Sequence, residues 1–216
     1  TDHGLNYLAF LKSYFTDFSD LTGYTGGFTP GHLWFILYLF VISMAALPLL
    51  RRWRSRNDGF LTKHAGFFSR PLVLIGQFVL LTITEALPDP GGKNPFYFFF
   101  VFLWGYVLCS DERYMDTVDR IWPWAAPAAI LSLASWMALL PVLGGYGDFS
   151  LQSILLALLR NLTVWLILLT LIGLGRRYLN RPSPWLRYMN EAAYPVYILH
   201  QSVMMAIAYF VVRMQA

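Results

Sequence analysis

The sequence predicts an all-α fold, a polytopic helical bundle embedded in a membrane. Charged residues make up 13% of the 216 residues, about half the roughly 25% of a soluble domain. Hydrophobic residues make up 57% and aromatic residues 18%. The apolar residues collect in long uninterrupted runs, not in the one-sided stripes of a soluble amphipathic helix. Six runs can be drawn, over residues 31–50, 71–87, 95–110, 121–144, 151–175 and 193–212. Their lengths bracket the roughly 17–25 residues needed to cross a bilayer, the third being the shortest. The reading is therefore six transmembrane helices.

Residues 1–30 read as an extracytoplasmic or interfacial segment, and residues 31–216 as the transmembrane bundle. In the first, aromatics mix with Asp, Ser, Thr and Gly. Residues 5–18 fit either a short amphipathic helix on the membrane surface or a loop of a larger extramembrane segment. Gly26, Gly27 and Pro30 interrupt any helix before the first span. Pro71 and Pro95 open the second and third spans, where a missing N–H does no harm. Pro123, Pro127 and Pro141 fall within the fourth span or near its ends and invite a kink.

Basic residues set the orientation. The loop 51–70 carries Arg51, Arg52, Arg54, Arg56, Lys63 and Arg70, and the loop after the fifth span carries Arg176, Arg177, Arg181 and Arg187. Arg113 and Arg120 follow the third span, accompanied by acidic residues. The alternate loops are nearly free of base: Lys12 in residues 1–30, Lys93 in 88–94, none in 145–150. An even number of spans then puts both ends outside. Trp34, Trp53, Tyr97, Trp122, Trp124, Trp185 and Tyr194 fit aromatic belts at span ends. The net charge of +4 is thus topological. Its expected partner is the lipid bilayer, and nucleic acid is not expected.

Several chemistries find no support. The single cysteine, Cys109, excludes an internal disulfide framework. His3, His32, His64 and His200 are scattered without metal-ligand spacing, so no metal site is expected. No Gly-x-Ser-x-Gly elbow and no phosphate-binding glycine loop occurs.

The informative residues are polar ones inside the spans, which are costly in hydrocarbon and must face protein or water. On the fifth span Gln152, Arg160, Thr163 and Thr170 fall within about 80° of arc. Arg160 lies near the midplane, where it pairs with an acid, binds an anionic group or ties two helices together. On the second span Gln77 and Thr84 share a face, with Glu85 beside them near the outer end. Glu85 is either an outer-site residue or an interfacial one in contact with water. On the last span Tyr194, Tyr197, His200, Gln201 and Met204 cover about 120°. The orientation places His200 in the cytoplasmic half, either functional or hydrogen-bonded to a neighbouring helix. His32 stands at the outer mouth of the first span, before Trp34.

Two stretches carry a family likeness. Gly31-His32-Leu33-Trp34-Phe35, opening a span, resembles the His-Leu-Trp-Phe signature of the membrane acyltransferase-3 family. Tyr194-Pro195-Val196-Tyr197-Ile198-Leu199-His200-Gln201 resembles that family's late-span motif. The basic loop ending Phe68-Ser69-Arg70-Pro71-Leu72 is similar to the branch of glucan-modifying succinyltransferases.

The resemblance implies a membrane O-acyltransferase in the bacterial inner membrane. It moves an acyl group from cytoplasmic acyl-CoA, a co-substrate and not a tightly bound cofactor, to a hydroxyl of an extracytoplasmic glycan or related acceptor. His32, Trp34, Glu85, Arg160, Tyr197, His200 and Gln201 are the expected substrate-binding residues. Arg160 would bind the CoA or an acyl carboxylate, and His200, Gln201 and Tyr197 the acyl or acceptor channel. His32 and Trp34 would shape the outer mouth. The family's catalytic histidine, with an arginine partner, lies on a first span with no counterpart here, so the chain reads as a C-terminal fragment and its catalytic residue is unassigned. The rival classes are a transporter or flippase, using the same midplane groups to pass a substrate, and a non-catalytic membrane scaffold.

Overall fold

The computed structural model describes residues 7–16, 33–54, 60–89, 93–144 and 150–214, and every regular element among them is helical. The elements are α1 (Tyr7–Thr16), α2 (Trp34–Arg54), α3 (Phe60–Phe68), α4 (Pro71–Ile75), α5 (Gln77–Glu85), α6 (Pro95–Ser110), α7 (Glu112–Leu143), α8 (Leu151–Leu174) and α9 (Pro184–Met214). The chain divides into two compact units, Thr1–Phe40 with Arg181–Ala216, and Val41–Asn180.

In the first unit α1 occupies part of the stretch expected to form a short surface helix. Phe35 of α2 meets Tyr197 of α9 edge to face at 6.3 Å. No residue of α9 is buried; Tyr197, Ile198, His200 and Gln201 are half-buried.

In the second unit, local chemistry sets the helix boundaries. Pro95 starts α6 behind an Asn94 cap, whose side chain accepts the Tyr97 N–H. Asp111 caps α7 through the Arg113 N–H, and Ser150 caps α8 through the Ser153 N–H. Past Leu174 the backbone relaxes into one π-helical turn, Gly175–Leu179. There Arg176 reaches back to Asp119 on α7 at 3.0 Å.

A break at Gly76 separates α4 from α5. Helix breaks release carbonyls from their i+4 partners, and hydrocarbon offers no replacement. The protein supplies side-chain donors instead. Gln77 Nε2 donates to the Val73 carbonyl at 2.8 Å, and Trp165 Nε1, from α8, donates to the Leu74 carbonyl at 2.8 Å. Trp165 is 2% exposed and meets Trp104 edge to face at 5.9 Å. Leu74, Leu81, Val107, Leu108, Tyr114, Val118, Ile121 and Leu169 complete the core around it.

The closest helix packing is between α7 and α8. Lipid tails are as apolar as leucine, so helices associate in a membrane through close approach and interhelical hydrogen bonds. Ala125, Ala129 and Ser132 of α7 are buried against α8, where Leu166 joins the two alanines. The Thr163 hydroxyl donates to Ser132 Oγ across this seam at 3.0 Å. Further along, Gly173 lies under the Trp122 side chain, whose Cβ and Cγ would stand 2.5 Å from any added Cβ. The three prolines leave α7 one 32-residue helix.

The span count differs from the sixfold reading. Among the described residues four helices are long and apolar enough to cross a membrane: Trp34–Trp53, Glu112–Leu143, Leu151–Leu179 and Pro184–Met214. A fifth crossing exists if Leu61–Phe68 and Pro71–Glu85, bent by 98°, act as one. Pro95–Ser110 has 16 residues, about 24 Å of helix against a hydrocarbon core of roughly 30 Å. Hydropathy registered its apolar character; the Asn94 and Asp111 caps set its length.

Arg113 donates to both Asp111 oxygens, from Nε at 2.9 Å and Nη2 at 2.8 Å, while Nη2 also reaches the Thr62 carbonyl of α3 at 2.6 Å. This hydrogen-bonded guanidinium holds the Asp111 carboxyl below its usual range. A lowered carboxyl pKa stabilises the fold above the ordinary carboxylate range, and that gain fades as pH falls through the lowered value. Asp111→Ala should therefore lose about 1 kcal/mol near neutral pH. Thermal unfolding in detergent should show the wild-type advantage shrinking as pH falls below the carboxylate range. For the α7–α8 seam, Gly173→Val should cost about 1–3 kcal/mol by overpacking Trp122. Adding Trp122→Ala should recover part of it in the same assay.

Candidate functional site

Glu85 is the last residue of α5. Arg160 lies in α8, about 14 Å along the helix from its first residue. Arg160 Nη2 pairs with Glu85 Oε1, and Asn161 Nδ2 donates to the other carboxylate oxygen, Oε2. Asn161 also donates to the Ala157 carbonyl at 3.0 Å and is 1% exposed. The Arg160 and Glu85 side chains are 47% and 28% exposed. A buried amide thus orients one carboxylate oxygen, while a half-exposed guanidinium neutralises the other. Both side chains remain partly exposed, so the pairing contributes modestly.

The pair borders an open cavity of about 570 Å³. One wall is the end of α5 and the following turn: Thr82, Glu85, Ala86, Leu87, Pro88 and Asp89. The other is the first three turns of α8: Ser153, Ile154, Ala157 and Arg160. The Thr82 hydroxyl donates to the Phe78 carbonyl at 2.9 Å, so toward a ligand it acts as an acceptor. Asp89 adds a second carboxylate. The cavity therefore offers hydroxyl-accepting oxygens on one side and a cationic donor on the other. A second cavity of about 550 Å³, lined by Phe78, Val79 and leucines of α7 and α8, has no polar side chain to do chemistry.

Of the residues expected from sequence, Glu85 and Arg160 come together. The Arg160 guanidinium pairs with the Glu85 carboxylate. Arg160, Thr163 and Thr170, which share a face of α8, have different partners. Thr163 bonds Ser132, and Thr170 donates to the Leu166 carbonyl of its own helix at 2.7 Å. Asn161 was missed because it falls about 180° from Gln152 around the helix. The remaining signal was an amide inside an apolar run, adjacent in sequence to Arg160.

Trp34, Tyr197, His200 and Gln201 lie in the other unit. The Trp34 and Tyr38 rings meet edge to face at 5.6 Å. His200 Nδ1 lies 2.6 Å from the Tyr197 carbonyl. A carbonyl only accepts, so Nδ1 is the donor of this contact. The Tyr197 ring sits 5.6 Å from the imidazole. His32 lies outside the described residues.

A family profile described as an acyltransferase domain matches residues 4–214. The chain belongs to the acyltransferase-3 family. No curated protein and no solved structure gives a significant match. As a member of the acyltransferase-3 family it transfers acyl groups other than aminoacyl groups, from a donor to an acceptor.

If Glu85 and Arg160 support each other as described, their substitutions should not add. Arg160→Ala leaves Glu85 without its cation, and Glu85→Ala leaves Arg160 without its anion. The double variant should be less destabilised than the sum of the two by about 0.5–1 kcal/mol, given their exposure. Chemical unfolding of the four proteins in detergent measures this coupling.

Proposed function

We propose that the Glu85–Arg160 cavity binds the acyl acceptor, on the extracytoplasmic side of the membrane, during transfer of an acyl group from cytoplasmic acyl-CoA to a glycan hydroxyl. The observation that carries this reading is the ion pair at the rim of an open cavity formed by the end of α5 and the start of α8. Those ends adjoin the base-poor segments 88–94 and 145–150, which positive-inside counting assigns to the outer face. Two carboxylates in the lining oppose the phosphates of CoA but suit the hydroxyls of a sugar. Arg160 is accordingly moved from the donor to the acceptor. Both Glu85 oxygens are engaged, which makes it a poor general base; it orients the attacking hydroxyl. That oxygen attacks the thioester carbonyl, the C–S bond breaks, and the hydroxyl proton leaves with the CoA thiol.

In the same reading His200, Gln201 and Tyr197 line the donor channel in the cytoplasmic half of α9. Trp34, with His32, shapes the outer mouth. A glycan acceptor, and the glucan-modifying branch in particular, is supported by the resemblance of the basic loop ending at residues 68–72. Six crossings of a bacterial plasma membrane, with α6 as a short one, fit the alternation of basic loops. The 98° bend between α3 and α4 is the one feature that favours passage of a substrate instead.

The test is radiolabelled acyl-CoA supplied to the full-length protein in liposomes with a glucan acceptor. The expected result is label on the glycan, reduced roughly tenfold or more by Glu85→Gln, Arg160→Ala and His200→Ala at unchanged protein level. Substrate flux without label on the acceptor would overturn the acyl-transfer assignment. Wild-type transfer in the Glu85 and Arg160 variants would return that pair to a structural role.

A further inference from the structure

Asn94 makes more hydrogen bonds than a helix cap requires. Its Oδ1 accepts the Tyr97 N–H at 3.0 Å, which starts α6. Its Nδ2 reaches the other way, to the end of α5, where it lies 2.8 Å from the Thr84 carbonyl, 3.1 Å from that of Glu85 and 2.9 Å from that of Leu87. Two amide hydrogens are thus shared among three acceptors. The last carbonyls of a helix have no partner within it. Of these three residues, Glu85 and Leu87 line the Glu85–Arg160 cavity.

We propose that Asn94 is a positioning residue for the Glu85 carboxylate. This rests on the reading of that cavity as the acceptor site. Glu85 closes α5, and helix ends fray. The carboxylate is useful only while its two oxygens face Arg160 and Asn161 on α8. Asn94, held at its other end by the α6 cap, fastens the α5 terminus from outside and keeps Glu85 on that line. The amide accepts toward α6 with Oδ1 while two N–H groups on a second atom donate toward α5, which a single, shorter serine hydroxyl cannot span. Aspartate can do only the first. Asp and Asn are nearly equal as N-caps, so Asn94→Asp keeps the start of α6 and replaces the α5 tether with an oxygen facing carbonyls.

The experiment measures acceptor and acyl-CoA KM, with kcat, for the full-length protein in liposomes, using a glucan oligosaccharide as acceptor. The proteins are wild type, Asn94→Asp, Asn94→Ser, Glu85→Gln and the Asn94→Asp/Glu85→Gln double variant. Both Asn94 variants should raise acceptor KM roughly tenfold or more and leave the acyl-CoA KM unchanged. Asn94→Ser makes the same test without introducing a charge. The double variant should match Glu85→Gln within about twofold, since a residue acting through Glu85 has nothing left to position. Losses that multiply in the double variant, or a KM shift shared by both substrates, would overturn the role of Asn94 alone. A wild-type acceptor KM in Glu85→Gln would overturn the acceptor-site reading beneath it.

Discussion

In hydrocarbon there is no water to satisfy a backbone N–H or C=O, and an unpaired group costs several kcal/mol. The second unit is arranged around that constraint. Helices meet it along most of their length. Where they stop or break, side chains take over: Gln77 and Trp165 at the Gly76 break, and Asn94 at the end of α5. These side chains tie neighbouring elements together. Trp165 fastens α8 to α4, and Asn94 joins α5 to α6. The residues that satisfy the backbone thus lie on the same elements, α5 and α8, that carry Glu85 and Arg160 or on their neighbours.

The α7–α8 seam provides the rigid side of the site. Small residues let the two helices approach closely, and the Thr163–Ser132 bond and the Gly173–Trp122 contact fix their register. Arg160 and Asn161 stand on α8 a turn or less from Thr163. Their positions thus inherit the stiffness of the tightest packing in the unit. The opposing wall, at the α5 terminus, is held by Asn94. A polar cavity between a firm helix and a tethered helix end can bind a polar ligand without burying an unpaired charge.

Much of this was legible without coordinates. Low charge and long apolar runs gave the all-helical membrane class, and the residues around His32–Phe35 and Tyr194–Gln201 pointed to the family. On the fifth span, 100° spacing says which residues share a face but not which neighbour that face meets. Thr163 and Thr170 spend their hydroxyls within the bundle, while Arg160, at the edge of the stripe, turns to the cavity. Asn161 and Asn94 were invisible for the same reason. Each matters through a partner on another helix or beyond a turn.

The sequence by itself determined the helical class, the solvent, the helix-starting prolines and the chemistry of the groups available. These depend on composition and short-range steric rules, which act within a few residues of each other. Only the tertiary structure decided that Glu85 and Arg160, 75 residues apart in number, are one ion pair, and that a buried asparagine completes it. Pairing across helices depends on crossing distance and rotation, and these are set by side-chain packing and the need to satisfy every polar group at depth. No local pattern carries that information.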